Sequence, residues 1–509
     1  MISSRRVFAF VRPAPLAGAA SLVVAFLAVL LLPVRAFAGE PIDLWYTLWI
    51  DGVRSGHARQ TVSVSDDRIT TTGLTSMTIR RGPITLDVLM TSTFVETPTG
   101  EPIWATSEQK MGAIPSTTTI DFKGETLGVT RSQGGATSTE SVPSPTTPWL
   151  PPAAARRMLA ERLRAGASEI SIATLDPTTG VTPVVVTRRD IRPDTEAVGD
   201  RSIETRVARS SMSNMPEIEF TEEFDLNAEI VRTETVLGGI RIETRLSDQA
   251  SALAPIEGGA EIMVSTLVRP DKPITNARSA TRASFLLSVS RGALPDLPET
   301  GVQRFERLSP TSGRLTVQMA GPAGAPEEDA GDGRYGASTL FCRADDEEIR
   351  RLTVRATRDC GPDKSERAEA IRRFVHTYLN RKSLDVGFAT ASETARSRAG
   401  DCSEHAVLLA AMLRADGIPA RGVSGLVYVD EFAGEEGIFG YHMWTQALLE
   451  IDGVRTWVDL DAAIDGERAS DATHIACSLV AYADDETVEA FQSLVPLMGV
   501  LDIAVESVE

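Results

Sequence analysis

From Leu44 to about Thr130, and again from Ile170 to about Thr244, short apolar and polar residues alternate, with Thr, Val and Ile prominent. A period of two sends successive side chains to opposite faces of an extended chain, so this half of the molecule is constrained to antiparallel strands with one wet face. Asp51-Gly52 is an early turn signal, and Val184 to Thr187, Glu217 to Phe224 and Ile240 to Leu246 read as strands. Ala153 to Ala165 (AAARRMLAERLRA) reads as a helix, while the Gly-, Ser-, Thr- and Pro-rich stretch from Ser132 to Pro152 reads as a loop or linker. Residues 39–256 are therefore expected to form one extended antiparallel β-rich region, in its simplest form a single large twisted sheet with one covering helix. The region holds no Cys, no metal-spaced His and no glycine-rich phosphate loop, which suits a scaffold or a peptide-holding surface.

Residues 257–320 read as a smaller all-β domain, with strands at Glu261 to Leu267, Ala283 to Ser290 and Arg314 to Met319. Pro, Gly, Ala, Glu and Asp then dominate, and residues 321–340 read as a linker. Its acids Glu327, Glu328, Asp329 and Asp332 lack the alternate-position spacing and closing Glu of a calcium loop, so they read as a solvated segment.

The N-terminus carries Arg5 and Arg6, an apolar run from about Leu16 to Leu32, and Ala36-Phe37-Ala38 before Gly39. Residues 1–38 thus have the parts of a secretory signal peptide cleaved after Ala38; the run is short for an anchor and no second one follows. Ser4-Arg5-Arg6-Val7-Phe8 also has the form of a twin-arginine signal, and the choice of route stays open. The expected location is periplasmic or extracellular, with no stable membrane span after cleavage. The signal carries Arg5, Arg6, Arg12 and Arg35 and no acid, so its removal takes the formal charge from −19 to −19 − 4 = −23. Such a chain repels nucleic acid and anionic lipid. Four cysteines in 509 residues exclude a disulfide-stapled mini-fold, although Cys342, Cys360 and Cys477 could supply one bridge with Cys402 kept free.

Residues 341–509 differ in kind. Asp345 to Ala356 and Ser365 to Leu379 are expected helices, the second with Ala368, Ile371, Val375 and Tyr378 on one stripe. Ser403 to Ala415 (SEHAVLLAAMLRA) is apolar nearly throughout and reads as a buried helix ended by Gly417 and Pro419. Cys402 then occupies its first turn, where free backbone N–H groups and the positive end of the macrodipole favour a thiolate and can hold an oxyanion. Asp401 and Glu404 oppose that thiolate, so a cationic group must offset them, and a nearby imidazolium is the obvious candidate.

Ile418 to Val429 and Gly440 to Ile451 read as strands flanking an acidic loop, Asp430 to Ile438. Asp452-Gly453 is a two-residue hairpin signal leading into a third strand, Val454 to Leu460. With those two residues as the loop, His442 faces Ala463 and Asp461 is its diagonal neighbour, roughly 7 to 8 Å away and within reach of an imidazole–carboxylate hydrogen bond. Asp459 shares the face but lies one step further off, opposite Gln446. A one-residue slip would move both carboxylates away. His405, one turn beyond Cys402, reads as a structural hydrogen-bonder, His376 and His474 as ordinary residues, and Trp444 and Trp457 as sharing the His442 face.

Gly400-Asp401-Cys402-Ser403-Glu404-His405-Ala406, Leu413-Arg414-Ala415 followed by Gly417-Ile418-Pro419-Ala420-Arg421, Tyr441-His442-Met443-Trp444 and Trp457-Val458-Asp459-Leu460-Asp461 together resemble the transglutaminase-like core, in particular that of bacterial exported proteins with β-rich N-terminal domains. The resemblance implies an α+β papain-like fold with a central helix on an antiparallel sheet, with Cys402 as nucleophile, His442 as general base and acid, and Asp461 as orienting carboxylate. Ala462 and Ala463 stand where Pro and Thr are common in that family. The expected activity is attack on a peptide or carboxamide carbonyl of a protein or peptide substrate, with an acyl-thioester resolved by water or by an amine and with no metal or organic cofactor. The alternative is a catalytically silent core that binds peptide or organises a complex. Acceptor and oligomeric state are not encoded in these motifs.

Overall fold

The computed structural model describes residues 42–81, 84–111, 115–198, 201–237, 239–262, 266–319, 333–382, 389–432, 434–464, 468–484 and 494–509. The expected signal peptide and most of the expected linker lie outside them. The alternating half forms one antiparallel sheet whose path runs from Ala136–Pro143 at one edge to Ile170–Thr174 at the other. Ile42–Ile50 pairs with both Val53–Val64 and Ile240–Ser247, which joins the two alternating stretches into a single sheet. Asp51 and Gly52 make the first hairpin with φ of 47° and 76°, as a two-residue turn requires.

The helix Pro152–Arg164 covers part of this sheet, burying Leu159, Ala160 and Leu163 beside Tyr46, Ala58, Ala208 and Phe224. Its first free N–H groups, those of Ala153 and Ala154, are taken by the Glu96 carboxylate at 2.8 and 3.0 Å. The stretch from Ser132 to Pro152 is not wholly a loop: Ala136–Pro143 pairs with Thr126–Gln133 across Gly134 and Gly135. Ser and Thr serve there as exposed edge-strand residues, which composition does not separate from loop residues.

A second sheet has the order Gln303–Ser309, Ser312–Gln318, Arg282–Val289, Leu501–Val508. Its last strand comes from the chain's end, so the small all-β unit is completed by residues expected in the catalytic domain. Apolar residues of all four strands meet in one core, including Phe285, Leu287, Leu315, Ile503 and Val505. Of the strand expected from Glu261 to Leu267, residues 263–265 lie outside the described residues, and Ala260–Glu261 lies parallel to Ile79 and Arg80 of the large sheet.

The third sheet has the order Val454–Leu460, Glu435–Ile451, Ala420–Phe432, His474–Val480. The helices Glu347–Ala356, Lys364–Tyr378, Ala391–Ser397 and Cys402–Ala415 gather on it. Residues 402–414 are buried without exception, the outcome of a helix apolar on every side. Thr445 Oγ1 donates to Ala406 O at 2.8 Å and pins this helix to the strand Glu435–Ile451. The acidic loop expected from Asp430 to Ile438 is shorter than its composition suggested, because the paired strands continue to Phe432 and Glu435. Arg269 pairs with Glu435 there and offsets the repulsion. All four cysteines are free thiols, so the bridge considered for Cys342, Cys360 and Cys477 is not formed. No described helix is long and apolar enough to cross a membrane.

Candidate active site

Cys402 is the first residue of the central helix, 1 % exposed, and the start of that helix is built by a capping box. Asp401 Oδ1 accepts from Ser403 N at 2.9 Å, and Glu404 Oε2 accepts from Asp401 N at 2.9 Å. Glu404 Oε1 also accepts from Ala389 N at 3.0 Å. Burial, reinforced by the Asp401 charge, pushes Glu404 well above the usual carboxylate range. Glu404 is thereby drawn toward the neutral acid, so of the two acids that opposed a thiolate on paper, its share is reduced. The Asp-x-x-Glu spacing is a capping-box signal that sequence reasoning took only as charge.

The hairpin forms in the expected register: Gln446 opposes Asp459 and Thr445 opposes Leu460, with Asp452 and Gly453 in the turn at φ of 52° and 78°. The ladder ends at Leu460, which leaves Asp461 able to swing toward the His442 strand. His442 Nε2 meets Asp461 Oδ2 at 2.7 Å, and both side chains are buried. Asp461 Oδ1 accepts from Ala463 N at 2.7 Å and Ile464 N at 3.3 Å. These bonds hold the carboxylate from behind. Burial alone would raise Asp461, but the two histidines facing it outweigh that and hold it well below the usual range. An ionised Asp461 only accepts, so His442 carries its proton on Nε2, and the lone pair of the neutral ring is on Nδ1. Nδ1 is buried and has no hydrogen-bond partner among the described residues.

Asp459, the competing carboxylate, is engaged elsewhere. Its Oδ1 accepts from Trp444 Nε1 at 2.7 Å and Gln446 Nε2 at 2.8 Å. Burial raises it against those two bonds. Trp444 in turn stacks along His442, with centroids 6.1 Å apart and planes 19° apart. Arg421, fully buried, stacks on Trp457 at 4.1 Å and donates to Gln446 Oε1 at 2.9 Å. The two tryptophans therefore share the face of His442, and they wall a polar interior rather than a purely apolar one.

His474, read from sequence as ordinary, is the largest departure. Its Nε2 lies 3.2 Å from the same Asp461 Oδ2, and its Nδ1 lies 3.1 Å from Asp471 O and 3.5 Å from Asp471 Oδ1. Burial works against a charge here, but Asp471 and Asp461 prevail and push His474 up to about 10. Its strand was not among the expected ones, so no register could place it opposite Asp461. His442, Asp461 and His474 offer ligand atoms within 4.8 Å of one another, a spacing a metal ion could use. The two Nε2 contacts to Asp461 Oδ2 account for the same geometry as hydrogen bonds. His405 behaves as expected, its Nδ1 2.6 Å from Asp401 O, and His376 Nδ1 meets Ala462 O at 2.9 Å.

Comparison with known proteins places this geometry in a family context. The model of the Transglutaminase-like superfamily matches residues 350–462. No curated protein sequence matches the chain. Among solved structures, a candidate cysteine protease from Cytophaga hutchinsonii aligns at 16 % identity over 41 % of this chain and 85 % of its own, with a TM-score of 0.28. The periplasmic domain of TgpA from Pseudomonas aeruginosa aligns at 16 % identity over 36 % and 91 %, with a TM-score of 0.24. A beta-barrel-like protein of a domain of unknown function from Brucella abortus aligns at 13 % identity over 41 % and 96 %, with a TM-score of 0.32. The stretch that is similar to the Transglutaminase-like superfamily model, residues 350–462, includes Cys402, His442 and Asp461.

Proposed function

We propose that this is an exported thiol enzyme acting on peptide or glutamine carboxamide bonds, with a papain-like arrangement of Cys402, His442 and Asp461. The observation that carries the reading is the 2.7 Å contact of His442 Nε2 with Asp461, which directs the basic lone pair to a buried Nδ1 without a partner among the described residues. In the proposed reaction that nitrogen takes the thiol proton as Cys402 Sγ bonds to the carbonyl carbon. It then returns the proton to the leaving amine or ammonia as the C–N bond breaks. The oxyanion forms beside the start of the central helix, whose dipole favours it. Water resolves the thioester to a carboxylic acid, or a primary amine resolves it to a new amide.

The second reading, a silent peptide-binding core, draws on one observation: Cys402, His442 and Asp461 are only 1 %, 5 % and 2 % exposed. Incubation with a mixed peptide library separates the two. New peptide termini or released ammonia, absent with Cys402→Ala, support the enzyme and also distinguish proteolysis from deamidation. Peptide retention with neither product supports the silent core.

A further inference from the structure

We infer that His474 is a positioning residue of this site: a second imidazole that shares the Asp461 carboxylate with His442 and fixes the oxygen to which the His442 ring is bonded. The inference rests on the proposed roles of Cys402, His442 and Asp461. Two nitrogens converge on one oxygen, His442 Nε2 at 2.7 Å and His474 Nε2 at 3.2 Å from Asp461 Oδ2. An ionised carboxylate can satisfy both only if each nitrogen carries a proton. On the other side of the His474 ring, Nδ1 faces the Asp471 carbonyl oxygen at 3.1 Å, and a bond to it requires a second ring proton. Asp471 N also points at Nδ1, at the longer distance of 3.4 Å.

The surroundings support the charge. Asp471 is fixed by Thr473 N at 2.8 Å and by Arg278 Nη1 at 2.8 Å, and Arg278 also donates to Tyr428 O. The chain of partners is therefore His442, Asp461, His474, Asp471 and Arg278, with charges alternating from Asp461 outward. Its last member comes from the segment just before the small sheet. Other charged groups near the ring are few: Asp459 is close enough to feel the His474 charge, and Arg421 faces Asp459. The ring itself stands edge-on to Trp444, centroids 5.1 Å apart, and 6.1 Å from the His442 ring. The elevation of His474 to about 10 agrees with the geometry.

Through Asp461, His474 fixes the oxygen that receives the His442 Nε2–H bond, and with it the orientation of the His442 ring. A neutral side chain at position 474 loosens the hold on that oxygen.

Two measurements test this. With five histidines in the chain, ring NMR of the wild-type protein can be assigned by single substitutions. The His474 resonances are expected to stay at their protonated positions from pH 6 to 9, and a midpoint near 6.5 would overturn the inference without need of any variant. In the second, Cys402 alkylation by iodoacetamide is followed against pH for wild type and His474→Gln, with folding checked by circular dichroism. The rate is expected to fall by about tenfold across the profile in a variant that remains folded. A purely structural His474 would change stability and leave the rate profile in place, which would overturn the positioning role. If wild-type Cys402 reacts no faster than an unfolded-chain thiol, the proposed enzyme fails instead, and the NMR result on His474 stands independently.

Discussion

Trp444 donates its indole N–H to Asp459 at 2.7 Å, and this bond decides which of two nearby carboxylates serves His442. With Asp459 committed to Trp444 and Gln446, only Asp461 faces the imidazole. The two substitutions should therefore separate. Asp461→Asn leaves the fold but loses the tautomer, and turnover of a cleaved library peptide is expected to drop by about two to four orders of magnitude. Asp459→Asn keeps an acceptor oxygen for both donors and should change turnover less than about threefold.

The capping box makes Gly400 a sensitive position. A Cβ added there would lie 2.3 Å from Glu404 Cβ and 2.4 Å from its Cγ, in a backbone with φ of 155°. Gly400→Ala must displace Glu404 and release Asp401 N. A loss of about 1–2 kcal/mol in urea unfolding is expected, with slower Cys402 alkylation.

Arg421 is a test of the polar interior. Its guanidinium is fully buried between Trp457 and Tyr335, at 4.1 and 5.7 Å, and bonded to Gln446. Arg421→Lys keeps the charge but neither the planar stack nor the fork, so it should destabilise by about 3 kcal/mol or more in denaturant unfolding.

Stability should depend on pH in a defined direction. His474 rises from 6.5 to about 10 on folding, so its contribution is fully present below pH 6.5 and is lost as pH rises through about 10. Asp471 falls from 3.8 to about 2, so its contribution is present above pH 3.8 and is lost as pH falls through about 2. Calorimetry should show Tm declining from pH 7 to 10, with a shallower decline in His474→Gln.

Much of this site was legible because its information is local. Asp452-Gly453 set a two-residue turn, the turn set the register, and the register selected Asp461. The apolar run after Cys402 sufficed to place the thiol at a helix start. What escaped was non-local or ambiguous in composition. His474 reaches Asp461 from a strand on the far side of the sheet, and Arg278 arrives from a preceding segment. Leu501–Val508 joins a sheet begun some 200 residues earlier, at Arg282. The Ser- and Thr-rich strand Ala136–Pro143 has the composition of a loop and the place of an edge.

The central claim is that Cys402 is a nucleophile activated by His442. Iodoacetamide alkylation at pH 7, read residue by residue by mass spectrometry, measures this directly, with the half-exposed Cys360 as reference thiol in the same molecule. The account predicts that Cys402 labels about tenfold or more faster than Cys360 despite its burial, and that His442→Ala abolishes the difference. Labelling of Cys402 no faster than Cys360, and unchanged by His442→Ala, would contradict it.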